Sequence, residues 1–135
     1  MDVGVGYHSF YQVLHKMKNI LIPTEEQEQN AIAQFLDIIG VDWCHVPNGG
    51  HRNKIVGAKL KAQGVKRGVP DILIFTPPSC GGYVGVAIEL KKIKGGKTSK
   101  EQKEWLSMLK KYGWHTSVCK GSGEAIDLIK KLGYP

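Results

Sequence analysis

Pro70-Asp71-Ile72-Leu73-Ile74-Phe75 and Tyr83-Val84-Gly85-Val86-Ala87-Ile88-Glu89-Leu90-Lys91 are the two stretches on which the reading of this chain turns. Each is a short apolar run with an acidic residue at one end, and β-branched and aromatic residues make both read as strands. Between them, Thr76-Pro77-Pro78-Ser79-Cys80-Gly81-Gly82 is too rich in proline and glycine for regular structure. It reads as a hairpin loop, which makes the two strands antiparallel neighbours. Asp71, just before the first strand, then meets Glu89, 18 residues later at the end of the second. Glu89 and Lys91 share a face because strand side chains alternate with a period of two. Two carboxylates and one ammonium at one spot suit a hard divalent cation.

Upstream, Thr24-Glu25-Glu26-Gln27 has the form of a capping box, so a helix starts at Thr24. Ile32, Phe35, Leu36 and Ile39 supply its apolar face and Gly40 stops it. Glu28 lies four residues before Ile32 and projects from the buried side, with Glu25 nearly in line one turn earlier. Either could be a third site carboxylate, and an acid there is also favoured by the helix dipole. Residues 1–22 are expected to be an N-terminal extension, with near-helical spacing of Tyr7, Phe10, Tyr11, Leu14 and Met17 predicting a helix over about 8–20. Residues 41–46 read as a strand ending at the turn Pro47-Asn48-Gly49-Gly50, and a short basic helix is expected over 53–63.

Downstream, residues 92–97 form a basic, glycine-containing loop. Ser99 can cap a helix running to about Tyr112, with Trp105, Leu106 and Leu109 inward. Residues 114–119 read as a further strand and 122–132 as a last helix. The order αβ(α)ββαβα gives an α/β fold, a central mixed sheet flanked by helices, with one domain expected over 23–135. Trp43, Trp105 and Trp114 each fall within an amphipathic element and read as core residues.

The 135 residues carry 19 Lys and Arg against 12 Asp and Glu, a formal charge of +7. Such an excess favours nucleic acid as a partner, because each neutralised phosphate releases counterions. No apolar run approaches the ~18–20 residues needed to cross a bilayer, and the first residues lack a secretory pattern. The expectation is an intracellular protein without a membrane partner. Cys44, Cys80 and Cys119 are odd in number and lack a C-x-x-C pair, so neither a disulfide framework nor a zinc site is indicated.

Mg²⁺ and Mn²⁺ prefer carboxylate, carbonyl and water oxygens. Asp71 and Glu89 supply two carboxylates and the Leu90 carbonyl a third oxygen. Lys91 beside them can orient an attacking water or stabilise charge on a pentacovalent phosphorus. In a basic chain this points to hydrolysis of a phosphodiester. His51, Arg52, Lys54, Lys66 and Arg67 flank the site in sequence, and Lys94 and Lys97 follow it. Phosphate contacts are expected of them. A basic DNA-binding module without catalysis, or an accessory acting through protein contacts, would share the charge but need no acidic pair.

Taken together, Thr24-Glu25-Glu26-Gln27-Glu28-Gln29, Pro47-Asn48-Gly49-Gly50, Val65-Lys66-Arg67-Gly68-Val69-Pro70-Asp71, Glu89-Leu90-Lys91 and Thr98-Ser99-x-x-Gln102 cover most of the chain. On these motifs it resembles the PD-(D/E)xK nuclease superfamily and, within it, the VRR-NUC group, especially small stand-alone members encoded by phages. The name-giving Val-Arg-Arg stands here as Val65-Lys66-Arg67, which keeps its basic character. The resemblance implies a restriction-endonuclease-like core and an Mg²⁺- or Mn²⁺-dependent DNA endonuclease acting inside a phage-infected or bacterial cell. It makes Asp71 and Glu89 metal ligands, Lys91 the catalytic lysine and Gln102 a residue near the site. Glu28 matches the helix glutamate best, with Glu25 the alternative. It also implies branched DNA, of the Holliday-junction type, and a homodimer that delivers paired cuts.

Overall fold

Thr24 starts the first helix by closing a reciprocal pair of hydrogen bonds with Gln27. The threonine hydroxyl accepts the Gln27 N–H at 3.1 Å, and the Gln27 side chain accepts the Thr24 N–H at 3.0 Å. The resulting helix α1 spans Glu25–Ile39 and ends at Gly40, whose φ of 74° is the left-handed conformation that glycine adopts without penalty. The structure is a computed structural model and describes residues 9–10, 12–14, 16–17, 22–47 and 53–135. Those at 9–10, 12–14 and 16–17 have helical backbone, and the rest of the helix expected over 8–20 lies outside the described residues.

Strand β1 (Trp43–His45) comes next, then helix α2 (Lys54–Ala62), capped by the Asn53 side chain on the Val56 N–H. Strands β2 (Ile72–Ile74) and β3 (Val86–Lys91) form the expected antiparallel hairpin, with Ile72 opposite Ile88. Helix α3 (Lys100–Lys111) starts at Ser99 with a second capping box, closed by Gln102. It carries the chain over to β4 (His115–Lys120), parallel to β3, as a crossover must. Helix α4 (Gly121–Lys131) ends the fold. The sheet order is β1-β2-β3-β4, antiparallel except for the last pair, so the αβ(α)ββαβα arrangement with a mixed sheet is observed. None of the described helices is long and apolar enough to cross a membrane.

The strand period of two assigns the two faces of this sheet different tasks. Ile72, Ile74, Val86, Ile88 and Leu90 point to one face and are buried against Ile32 and Leu36 of α1 and Ala125 and Ile129 of α4. Full burial of such side chains contributes about 1.5–3 kcal/mol each, so this face anchors the hairpin. Glu89 and Lys91 therefore point to the opposite face, where α3 packs on β3 and β4. Helix α3 covers that face only partly. Trp105, Leu106 and Leu109 are half-buried rather than enclosed, and α3 has no fully buried residue. Just ahead of β3 only glycine fits at position 85, since a Cβ there would come within 2.7 Å of both the Ile74 carbonyl and the Trp114 ring. The three cysteines are free thiols, with Cys119 buried and the other two exposed.

Candidate active site

The hairpin register brings the two ends of the signature together. Pro70 is fully buried and delivers the chain into β2. The main-chain carbonyl of Asp71 accepts the Val46 N–H at 2.8 Å and lies 2.7 Å from His45 Nδ1. The donors are the last residue of the neighbouring strand β1 and the residue after it, and they fix the aspartate's backbone. Its carboxylate then reaches across the hairpin, with Oδ2 accepting the Leu90 N–H at 2.8 Å. In an extended residue the N–H and C=O point to the same strand edge, so the Leu90 carbonyl also faces this edge.

Glu89 is only 3% exposed and meets three other side chains. Its Oε1 accepts Gln102 Nε2 at 2.8 Å and stands 3.6 Å from Lys91 Nζ. Its Oε2 is buried and finds no hydrogen-bond partner among the described residues. Burial, and next the Asp71 carboxylate beside it, push the Glu89 carboxyl up from an ordinary 4.5 to about 8, against the opposing pull of Lys91. Two carboxylates forced together in low dielectric cannot both ionise cheaply. A cation between them would remove that conflict and supply a partner for the orphaned Oε2. The donor set is all oxygen, which suits Mg²⁺ or Mn²⁺. These observations fit a divalent ion held by Asp71, Glu89 and the Leu90 carbonyl.

Gln102 connects the acid to the base. Its Oε1 accepts both the Ser99 N–H and Lys91 Nζ at 2.8 Å, while its Nε2 donates to Glu89. The capping box that starts α3 thus also orients the lysine and the glutamate. This placement depends on Gly68 of the Val65–Asp71 motif. With φ at 86°, its missing Cβ would lie 2.5 Å from the Glu101 carbonyl carbon and 2.7 Å from Gln102 N. The loop carrying Asp71 rests directly on the first turn of α3, and only glycine permits it.

Among the described residues, no hydrogen bond or ion pair joins Glu28 or Glu25 of α1 to this pair. Glu28 is buried, as its position ahead of Ile32 implied, but its carboxylate accepts the Ser122 N–H at the start of α4. Gly121 adjoins this contact with φ at 80°, a conformation that glycine adopts without penalty. Helix α1 packs on the apolar face of the sheet, whereas Glu89 points to the other, so Glu28 is used to tie α1 to α4. Glu25 is exposed. Among the described residues no three Asp, Glu, His or Cys side chains gather as a metal-holding group, and the partner of the Glu28 carboxylate is the Ser122 N–H.

Of the basic residues, Lys54, Lys66 and Arg67 are exposed and line a groove that also includes Gln102. Lys94 and Lys97 are exposed on the loop after β3. His51 and Arg52 lie outside the described residues. No role beside Asp71 follows for His45 from the sequence, because a histidine at the end of a three-residue strand carries no motif. Only the strand register places it against Asp71. Trp43 packs against the core and donates its indole N–H to Asp37, and Trp114 meets Phe75 edge-on. Trp105 instead lines the groove.

A family model for the VRR-NUC domain matches residues 23–123. A solved structure titled "VRR_NUC domain protein" is similar to this chain at 30% sequence identity, covering 82% of this chain and 91% of that one with a TM-score of 0.69. No curated protein matches the chain.

Proposed function

Because this chain belongs to the VRR-NUC domain family, we propose that it is a divalent-cation-dependent DNA endonuclease hydrolysing phosphodiester bonds in branched DNA. The observation that carries the proposal is the convergence of Asp71 and Glu89 beside Lys91, bridged by Gln102. Asp71, Glu89 and the Leu90 carbonyl would hold Mg²⁺ or Mn²⁺. When bound, such an ion polarises a phosphoryl oxygen and makes water more acidic.

The chain's own groups supply the rest. An ammonium has three donors, and Lys91 directs one at Gln102 Oε1. The others are in position to hold a water or a non-bridging phosphate oxygen, where positive charge is worth most as negative charge builds in the transition state. Gln102 keeps that ammonium from collapsing fully onto Glu89, since its amide spans both groups. His45 and Val46 hold Asp71 from behind through its main chain. Half-buried Lys91 and buried Glu89 are shielded from bulk water, which strengthens every electrostatic contact among them.

A four-way junction has pseudo-two-fold symmetry and needs two cuts, so the reading extends to a homodimer with one site per subunit. The testing experiment is a cleavage panel of labelled four-way junction, flap, single-strand and duplex DNA with Mg²⁺ and with Mn²⁺. Paired cuts in the junction, abolished by Lys91→Ala, are expected. If the wild type and Lys91→Ala were equally inert on every substrate, a basic binding module would replace the enzyme.

A further inference from the structure

Next to the acidic pair lies a groove of about 980 Å³, walled by α2, the 65–68 segment and the first half of α3. Gln102 belongs to its lining and also bonds Glu89 and Lys91, so the groove is continuous with the site. Leu60, Val65 and Trp105 give it apolar surface, and Val65 is 41% exposed. Lys54, Lys61, Lys66 and Arg67 give it four cations, against the acids Glu101 and Glu104. Helix α2 buries none of its residues, so it adds little to the core, yet it forms one whole wall of this groove.

An aromatic surface among cations fits one occupant particularly well, a nucleic-acid strand with its bases unpaired. Every base has a π-face that stacks on indole, and the lysines track the backbone. A duplex keeps its bases stacked on one another and offers no face to Trp105. We propose that this groove holds an unpaired segment of the DNA strand beside the scissile phosphate, with a base on Trp105 and phosphates against Lys61, Lys66 and Arg67. The inference rests on the nuclease reading and sharpens it. The preferred substrate carries a single-stranded segment next to the cut, as a flap, a splayed arm or an opened junction does.

The test is strand binding in EDTA, where no divalent ion supports cleavage. Labelled oligothymidylate is compared with an abasic strand of equal length, which has the same phosphates but no bases. The wild type is expected to bind the base-bearing strand about tenfold more tightly, as one stacked base implies. Trp105→Leu should abolish that difference and leave the abasic affinity unchanged. Trp105→Phe, which keeps an aromatic face at the same position, should retain most of the difference, whereas Val65→Glu, at a position already open to solvent, should weaken both strands through its added charge. Lys61→Glu should weaken both strands. Equal binding of the two strands by the wild type would overturn the proposal, as would a base-dependent gain that survives Trp105→Leu. A groove occupied instead by a second copy would also overturn it. In that case sedimentation would show Val65→Glu weakening self-association with strand binding unchanged. Base-dependent binding in a protein that never cleaves would contradict the nuclease reading alone, and cleavage without it would contradict the groove alone.

Discussion

Removing divalent ions leaves Glu89 as a buried carboxyl held up at about 8 by burial and by Asp71, and the consequence is a stability that falls as pH rises. In the unfolded chain the same group titrates near its ordinary 4.5. A carboxyl whose folded value lies above its unfolded value stays protonated in the fold, so its contribution is complete below about 4.5 and is lost as pH climbs through about 8. At about 1.4 kcal/mol per unit, the loss across that window is several kcal/mol. For a chain of this length 1 kcal/mol shifts Tm by roughly 3–5 °C. Tm in EDTA should therefore drop by on the order of 10 °C between pH 5 and pH 8.5. Glu89→Gln cannot ionise there and should flatten most of that slope. Mn²⁺ should restore Tm at the alkaline end, and calorimetry in buffers of different ionisation enthalpy should show a proton released on binding below pH 8. An EDTA melting curve whose Tm stays level or rises over this range, or a slope unaltered by Glu89→Gln, would refute the paired-carboxylate reasoning.

Gly68→Ala should cost at least 2 kcal/mol and lower cleavage, since the new Cβ would strike the α3 backbone at a positive φ. Gly57→Ala, in the α2 interior with open space around its Cβ, should instead gain up to about 1 kcal/mol, and denaturant titration of both variants checks the contrast. Glu28→Gln should weaken the tie to Ser122 and lower stability by about 1–2 kcal/mol, with a larger fall in cleavage than Glu25→Gln. Exposed Glu25→Gln should stay within about 0.5 kcal/mol, and thermal melts with Mn²⁺ calorimetry separate a stability effect from a lost ligand. His45→Leu removes a donor to the Asp71 carbonyl and should weaken Mn²⁺ binding severalfold. His45→Asn, which keeps an N–H in reach, should recover most of it in the same titration.

Much of this fold was readable because its boundaries are local chemistry. Thr24 with Gln27, Gly40, and Ser99 with Gln102 mark helix ends through hydrogen bonds spanning three or four residues. Proline and glycine in 76–82 mark the hairpin loop equally well. The convergence of Asp71 with Glu89 follows from that hairpin, so this geometry of the candidate site was legible too. What lay beyond reach depends on which sheet face a distant helix covers. Glu28 has the spacing of a buried residue, but only the packing of α1 against α4 reveals that Ser122 receives it. Trp105 sits at an apolar position of α3, and only the three-dimensional placement of α2 turns that position into a groove wall. His45 meets Asp71 through strand register, a relation across 26 residues that no local pattern encodes.

Mn²⁺ calorimetry run alongside cleavage of a labelled four-way junction, on the wild type, Asp71→Asn and Lys91→Ala, tests the site most directly. The wild type should bind the ion and cut, Asp71→Asn should do neither, and Lys91→Ala should bind the ion yet leave the junction whole. Undiminished Mn²⁺ binding by Asp71→Asn, or undiminished cutting by Lys91→Ala, would contradict the assignment of these residues to one catalytic centre.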